Sequence, residues 1–142
     1  MAVDPATVSY LLSSIASTAK IIEFGMSLKR RPSEKEVADA TAAADAYASA
    51  KYGVSSNAVL AMSKGSWSKP IVEAINERIR ESRERSIQII KSNMDDYDKE
   101  KRLRDERRSF CAQLSQMKSY NGGILPPDMQ EEWNQVCFDY VP

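Results

Sequence analysis

The residues best suited to chemistry in this chain are its carboxylates, because the sequence contains no histidine. Acidic residues gather at positions 95–98 and at Glu131 and Glu132, and two carboxylates are the minimum for general acid–base catalysis. Catalytic carboxylates need surroundings that shift their pKa values, whereas both groups lie in strongly polar sequence. The lack of histidine also excludes Ser/His/Asp and Cys/His nucleophile systems. We therefore expect surface charge at both places and a protein that is not an enzyme.

The sequence also predicts no cofactor and no metal site. Neither GxGxxG nor a Walker pattern is present, and Lys64-Gly65-Ser66 lacks the preceding glycine of a phosphate-binding loop. Cys111 and Cys137 cannot supply a four-Cys zinc site and lack the CxxC spacing of redox motifs. Small domains that depend on disulfides usually contain more cysteines. We expect two reduced thiols in a cytoplasmic protein, since the amino terminus lacks the positive region of a signal peptide.

A third group of charged residues could contact phosphate groups. Cations are dense between positions 101 and 108, but Asp105 and Glu106 interrupt them and few aromatic residues stand nearby to stack on bases. The whole chain is neutral, with 20 basic and 20 acidic residues, so no net field attracts a polyanion. Opposite charges four residues apart favour an exposed helix instead. Polyanion contact is therefore the lesser alternative for Lys101, Arg102, Arg104, Arg107 and Arg108.

The elements that position these residues are predicted to be helices, because no segment alternates apolar and polar residues over the length of a strand. Asp4 is a favourable N-cap and Pro5 suits the first helical position, so the first helix starts there and extends to about Leu28. Its apolar residues recur every three or four positions and predict one core-facing side. That side comprises Val8, Leu11, Leu12, Ile15, Ala19, Ile22 and Met26.

Two further helices are predicted in the first half of the chain. Pro32 ends the first helix, and a Ser-x-x-Glu capping box at Ser33 predicts a second helix from Glu34 to about Tyr52. The many alanines of this second helix permit another helix to approach it closely. A short third helix is expected over 57–62.

The segment 69–120 is the longest predicted helical stretch, since no glycine or proline occurs between 71 and 120. A continuous helix of about fifty residues would be about 75 Å long, far more than the diameter of a compact domain of this size. The heptad positions are apolar at both ends of the segment, but the stretch 93–100 is polar. A continuous helix is favoured over a hairpin that turns at 93–100, because these polar residues can be solvated on an exposed helix.

The C-terminal part is predicted to contain a turn, a connector and one short helix. The turn is expected at 121–123, where Asn-Gly-Gly occurs, and the extended connector at 124–127. Asp128 is expected to cap a helix that ends near Asp139. The face of this helix that docks on the bundle comprises Met129, Trp133, Val136 and Tyr140.

These elements predict one all-α domain over 1–142, a helical bundle in which an N-terminal subdomain, 1–65, packs on the long segment and last helix of 66–142. The function expected from this arrangement is a non-enzymatic protein–protein interaction module that self-associates into a homo-oligomer. The apolar ends of the long segment and two tryptophans form the expected interface. The candidate interface residues are Ile75, Ile79, Ile89, Leu103, Phe110, Leu114, Met117, Trp67 and Trp133.

Two other functions are weighed against this one. The first four turns of the first helix are uncharged and precede Lys20 and the basic residues 29–31, which permits association with a membrane surface. This uncharged run, 5–19, is too short to span a bilayer, which needs about 20 apolar residues. Weak nucleic-acid binding through 101–108 is the second alternative. No small-molecule substrate is indicated.

Overall fold

A computed structural model describes residues 3–65, 67–120, 125 and 127–141 of the chain. All regular structure within these residues is helical, so the predicted all-α fold class is confirmed. The helices pack as a bundle. In chain order they are α1 (Pro5–Ser27), α2 (Glu34–Lys51), α3 (Asn57–Ser63), α4 (Lys69–Lys91), α5 (Asp96–Tyr120), a 3₁₀ turn (Pro127–Met129) and α6 (Gln130–Val136).

The first helix, α1, is the central element of the bundle and contacts each of the other α-helices. Its start is determined locally: the Asp4 carboxylate accepts the Thr7 backbone N–H at 2.9 Å, and Pro5 occupies the first turn. The predicted apolar side is buried, apart from Met26, which is partly buried against the same core. The rest of the chain therefore covers the apolar side of α1.

The start of α2 has the predicted capping box. The Ser33 hydroxyl accepts the Glu36 N–H and the Glu36 carboxylate accepts the Ser33 N–H, each at 3.1 Å. Arg30 donates two hydrogen bonds of 3.0 Å to the same carboxylate, and these contacts lower the pKa of Glu36 to about 2. Ala44 and Ala48 are buried, so small side chains let α2 pack closely on α1.

The long predicted helix is a hairpin of α4 and α5, so the prediction of a continuous helix is wrong and its alternative is the one that the chain adopts. The backbone N–H and the hydroxyl of Ser92 both donate to the Ile89 carbonyl, at 3.2 and 2.7 Å, and end α4. The Asp95 carboxylate accepts the Asp98 N–H at 2.9 Å and starts α5. Local caps over 92–95 therefore replace continuous helical hydrogen bonds.

A buried lysine joins the two arms of this hairpin. Lys99 lies near the start of α5 with 8% of its surface exposed, and its ammonium donates to the Ile90 carbonyl of α4 at 3.2 Å. A cation at a helix C-terminus interacts favourably with the unpaired carbonyls there. Ile90 and Leu103 also form a small apolar cluster, and α1 approaches it so closely that a Cβ on Gly25 would lie 2.7 Å from Ile90 Cδ1.

The C-terminal helix docks on the bundle through the predicted face. Met129 and Val136 are buried in the core. Trp133 and Tyr140 are partly buried, and their rings meet edge to face with centroids 6.0 Å apart. This face therefore supplies the apolar contacts of α6.

The bounds of this helix differ from the prediction. The predicted cap is wrong, because the 3₁₀ turn places Met129 rather than Asp128 at the N-cap, where no side-chain hydrogen bond forms. The helix also ends at Val136, before the predicted end at Asp139. The predicted turn at 121–123 and two of the four connector residues, 124 and 126, lie outside the described residues.

The two cysteines form a disulfide, which corrects the prediction of two reduced thiols. Cys111 lies on α5 and Cys137 directly follows α6, so the docking of α6 brings together residues that are 26 positions apart. Each residue is 1% exposed. The disulfide ties the end of α6 to α5.

Candidate functional site

Most residues of the predicted self-association interface lie in the core of the single chain. The hairpin packs on α1, so the apolar positions of both arms are covered within one molecule. Ile89 and Trp133 are partly buried against this core. The fully buried side chains are not open to a second chain in this fold. Those that are buried are Ile75, Ile79, Leu103, Phe110, Leu114, Met117 and Trp67.

Glu132, which the sequence placed among surface charges, is a carboxylate with 0% of its surface exposed. The hydroxyls of Tyr47 and Tyr52 donate to it at 2.7 and 3.2 Å. The Lys51 ammonium donates to Glu132 at 3.1 Å and to Glu131 at 2.8 Å. The tyrosines and the lysine lie on or directly after α2, so this network fastens α6 to α2.

Burial and mutual contacts together raise the pKa values of the two tyrosines and the lysine of this network. Burial, followed by the charge and hydrogen bond of Glu132, raises the pKa of Tyr52 well above its usual range. Burial and the hydrogen bond to Glu132 likewise raise the pKa of Tyr47. Burial alone would lower the pKa of Lys51, but its hydrogen bonds to the two glutamates and to Tyr47 raise it. The hydrogen bonds of this network therefore anchor α6 to α2.

One signal in the sequence could have identified Glu132 as buried. It stands three residues after Met129 and four before Val136, which is the spacing of one helical face. Both neighbours belong to the docking face that the sequence predicted. An acidic residue in the middle of such a face must be paired when the face is buried.

Four of the five predicted polyanion contacts line one groove, about 400 Å³ in volume, between α5 and the segment that follows α6. We call it the basic groove. Arg102 lies apart from it, in another groove beside α4. The basic groove has Lys101, Arg104, Arg107 and Arg108 on the α5 wall and Asp139, Tyr140 and Val141 on the opposite wall.

The cations of the basic groove are only partly paired within the described residues. Arg107 donates to Asp139 across the groove at 3.2 Å. Arg104 lies 3.8 Å from a glutamate of its own helix. Among the residues that the structure describes, Lys101 and Arg108 form no ion pair. The groove is lined by four cations and two carboxylates, so its net charge is positive.

The acidic residues at 95–98 lie at the turn of the hairpin and are exposed, as the sequence predicted. We call 95–98 the acidic tip. Its one aromatic residue, Tyr97, is 71% exposed. The backbone N–H of Asp98 lowers the pKa of Asp95 by hydrogen bonding to its carboxylate. The tip therefore presents exposed carboxylates and an exposed aromatic ring about one turn before the basic groove.

A third groove, about 510 Å³ in volume, lies between α2 and α4 over one side of α1. Serine hydroxyls on its floor are bonded within the chain. Ser9 donates to the Tyr52 carbonyl and Ser17 donates to the Asp45 carboxylate, each at 2.6 Å. Arg83 donates to the same carboxylate at 3.0 and 3.1 Å. The polar groups of this groove therefore stabilise the contact of α1 with α2 and α4.

No protein family, curated protein or solved structure matches the chain. Over the described ranges, none of the helices is long and apolar enough to cross a membrane. The same residues include no group of three or more His, Cys, Asp or Glu side chains arranged to hold a metal ion. The function must therefore be inferred from the contacts and charges of the chain itself.

Proposed function

We propose that the protein is a non-enzymatic assembly module that binds a second copy of itself through the exposed side of α5. One observation carries the proposal: α5 has the acidic tip at its start and the basic groove directly after it. A helix with opposite charges in succession is complementary to an antiparallel copy of itself. The proposal thus keeps the self-association expected from the sequence. It places the interface on the polar side of α5 and not on the apolar heptad positions.

Antiparallel pairing would satisfy both charged contacts at once. Tyr97 in the tip and Arg104 in the groove are separated by seven positions, about 10 Å along a helix. With a two-fold axis near Lys101, the tip of each copy would face the groove of the other. A two-fold interface closes after two copies, so a dimer is expected and not a filament.

Several weak contacts would act together in this dimer. Asp96 and Asp98 can pair with Arg104 and Arg108 of the other copy, and Tyr97 can accept a guanidinium over its ring. An exposed ion pair contributes about 0.2–1 kcal/mol, and an exposed cation–π contact contributes about 0.5–1 kcal/mol. Salt screens such contacts over about 8 Å at physiological ionic strength. The expected dimer is therefore weak and sensitive to salt.

The basic groove already binds one carboxylate of its own chain. Asp139 accepts a hydrogen bond from Arg107 at 3.2 Å. This internal pair supports the proposal because it uses the same chemistry that an acidic tip would use. Lys101, Arg104 and Arg108 lie in the same groove and are exposed.

Nucleic acid and membrane surfaces fit the observations less well. With Asp105 and Asp139 among its four cations, the groove has too little net positive charge for a polyanion that carries one phosphate at every nucleotide. Tyr140 packs on Trp133 and is not free to stack on a base. The apolar side of α1, which membrane association would require, faces the core.

Reversing the charges of each half separately tests the proposal. Asp96→Lys with Asp98→Lys makes the tip basic, and Arg104→Glu with Arg108→Glu makes the groove acidic. Sedimentation equilibrium in low salt measures the dissociation constant of the dimer. Each double variant alone should be monomeric, because its tip and groove then carry charges of the same sign. An equimolar mixture should dimerise again, because each reversed surface then meets its complement.

Arg102→Glu is the matched control, since Arg102 is exposed on the same helix but lies outside the basic groove. It should change the dissociation constant by less than about threefold. A wild-type chain that stays monomeric at millimolar concentration, or a mixture that fails to recover, would refute self-association through α5. A wild-type monomer that binds a short DNA duplex or anionic vesicles, and loses this binding with Arg104→Glu and Arg108→Glu, would favour one of the alternatives.

A further inference from the structure

We infer that the basic groove is under redox control by the disulfide between Cys111 and Cys137, a regulation that rests on the proposed function of this groove. The disulfide joins the two walls. Cys111 lines the groove from α5, and Cys137 begins the segment 137–141, whose residues form the opposite wall. Reduction would break the one direct covalent bond between the two walls, which would then be joined only through the backbone.

The helix α6 has an attachment that does not depend on the disulfide. Glu132 is bonded to Lys51 and Tyr52, and Met129 is buried in the core. These contacts all precede Cys137 in the chain. Reduction should therefore leave α6 docked and loosen only the segment that follows it.

After reduction, Cys137 would still be held by its burial and by its backbone hydrogen bond to the Trp133 carbonyl at 2.7 Å, and two side-chain contacts would hold the residues beyond it. Asp139 pairs with Arg107, and Tyr140 packs against Trp133. The Asp139 side chain is 49% exposed, and ion pairs at such positions contribute little. The disulfide is thus the one covalent contact between 137–141 and α5, and the others are weaker.

The switch needs a dithiol as its reductant. Each cysteine is 1% exposed, so the dithiol reaches the disulfide from the groove that Cys111 lines, when the segment 137–141 opens locally. One thiolate of the dithiol attacks a sulfur of the disulfide, the S–S bond breaks, and the other cysteine leaves as a thiolate that takes up a proton. The second thiol of the dithiol then displaces the first cysteine and closes the disulfide of the reductant. Two electrons and two protons pass to Cys111 and Cys137, and the dithiol is oxidised.

An ordered wall favours binding because the partner does not have to order it. With the disulfide intact, Tyr140 and Val141 are held beside the cations of α5. After reduction, a partner must order the segment again or bind a groove with one wall. Immobilising a few side chains on binding costs conformational entropy, and this cost raises the dissociation constant by about fivefold to tenfold.

The experiment compares the oxidised chain, the chain reduced by a dithiol, and the variant Cys111→Ser with Cys137→Ser. Amide hydrogen exchange reports the order of 137–141, circular dichroism reports the helices, and sedimentation equilibrium reports the dimer. In both disulfide-free forms, helicity should be unchanged and exchange at 137–141 should be faster. The dissociation constant should rise about fivefold to tenfold. Adding the dithiol to the serine variant should change nothing further.

Three results would overturn redox control: unchanged exchange at 137–141, equal dissociation constants in the two redox states, or loss of helicity on reduction. If the oxidised chain does not dimerise, the proposed function fails and the groove is tested with a fluorescein-labelled hexaglutamate peptide. Weaker peptide binding after reduction, measured by anisotropy, supports redox control of the groove. Equal binding in both states, or no binding in either, overturns it.

Discussion

Around Glu132, a buried carboxylate and a buried tyrosine contact a partly buried lysine and a partly buried tyrosine and fasten α6 to α2, whereas similar side chains along α5 face solvent. The carboxylate in the first region has no exposed surface, and the ring of Tyr97 in the second is largely exposed. Buried charged groups have lost their water and need partners within the chain. Exposed ones keep their water and can exchange it for a partner molecule.

This difference predicts two kinds of mutational effect. Removing a member of the buried network leaves unpaired groups in the core and lowers the free energy of unfolding. Removing an exposed charge of α5 leaves the fold intact and changes association alone. Matched substitutions in the two regions can therefore break or sharpen the comparison.

The largest expected effect is that of Glu132→Ala, which leaves the hydroxyl of Tyr47 and one contact of Lys51 without their carboxylate. We expect the free energy of unfolding to fall by about 3–5 kcal/mol, the usual cost of breaking a buried charged pair. Urea unfolding monitored by circular dichroism measures it. Glu131→Ala is the control, because Glu131 bonds to the same lysine from an exposed position. Equal losses in the two variants would contradict the comparison.

An intermediate effect is expected for Lys99→Met, which keeps the apolar stem but removes the hydrogen bond to the Ile90 carbonyl. The free energy of unfolding should fall by about 1–2 kcal/mol, because a buried carbonyl loses its donor. Thermal and urea unfolding measure this change. Arg104→Met, five positions further along α5, should leave unfolding unchanged and weaken the dimer, because it removes an exposed partner of the acidic tip. If the buried-site variant weakened only the dimer and the exposed-site variant lowered only the free energy of unfolding, burial would not explain the difference between the two regions.

The smallest expected effect concerns Glu36, whose carboxylate is held by Arg30 and by the start of α2. Its pKa in the folded chain is about 2, against an ordinary value of 4.5. A lowered folded pKa means that the contribution to stability is present above pH 4.5 and is lost as pH falls toward 2. The difference in unfolding free energy between wild type and Glu36→Gln should therefore shrink over this window. A difference that stays constant with pH would show that these hydrogen bonds do not stabilise the fold.

Local features could be predicted from the sequence because their partners lie within a few residues. The N-caps at Asp4 and Ser33 each bond to an N–H three positions later. The network around Glu132 could not be predicted in this way, since Tyr52 and Glu132 are 80 positions apart. The same holds for the disulfide, whose formation depends on the contact of α6 with α5.

The hairpin shows where helical periodicity stops being informative. Ser92 and Asp95 are good caps, but polar residues of the same types also occur on exposed continuous helices. The packing of both arms on α1 decides between these outcomes. Ile79 and Phe110 were correctly predicted to pack against another helix, and both are buried. Their spacing did not reveal that the helices that bury them belong to the same chain.

The basic groove was predicted in part. Helical spacing groups Lys101, Arg104 and Arg108 on one side of α5, and the sequence marked all three as candidate contacts. The opposite wall depends on where α6 docks and on the disulfide. No local sequence pattern encodes where α6 docks, so the groove could be identified only from the folded structure.

The solution mass of the wild-type chain, measured by sedimentation equilibrium over a range of concentrations at two salt levels, tests the central claim most directly. At low salt the mass should rise with concentration from that of one chain to that of two. In about 1 M salt, where the screening length is about 3 Å, it should return to that of one chain. A mass that stays at one chain throughout, or a dimer that is indifferent to salt, would contradict assembly through the charged side of α5.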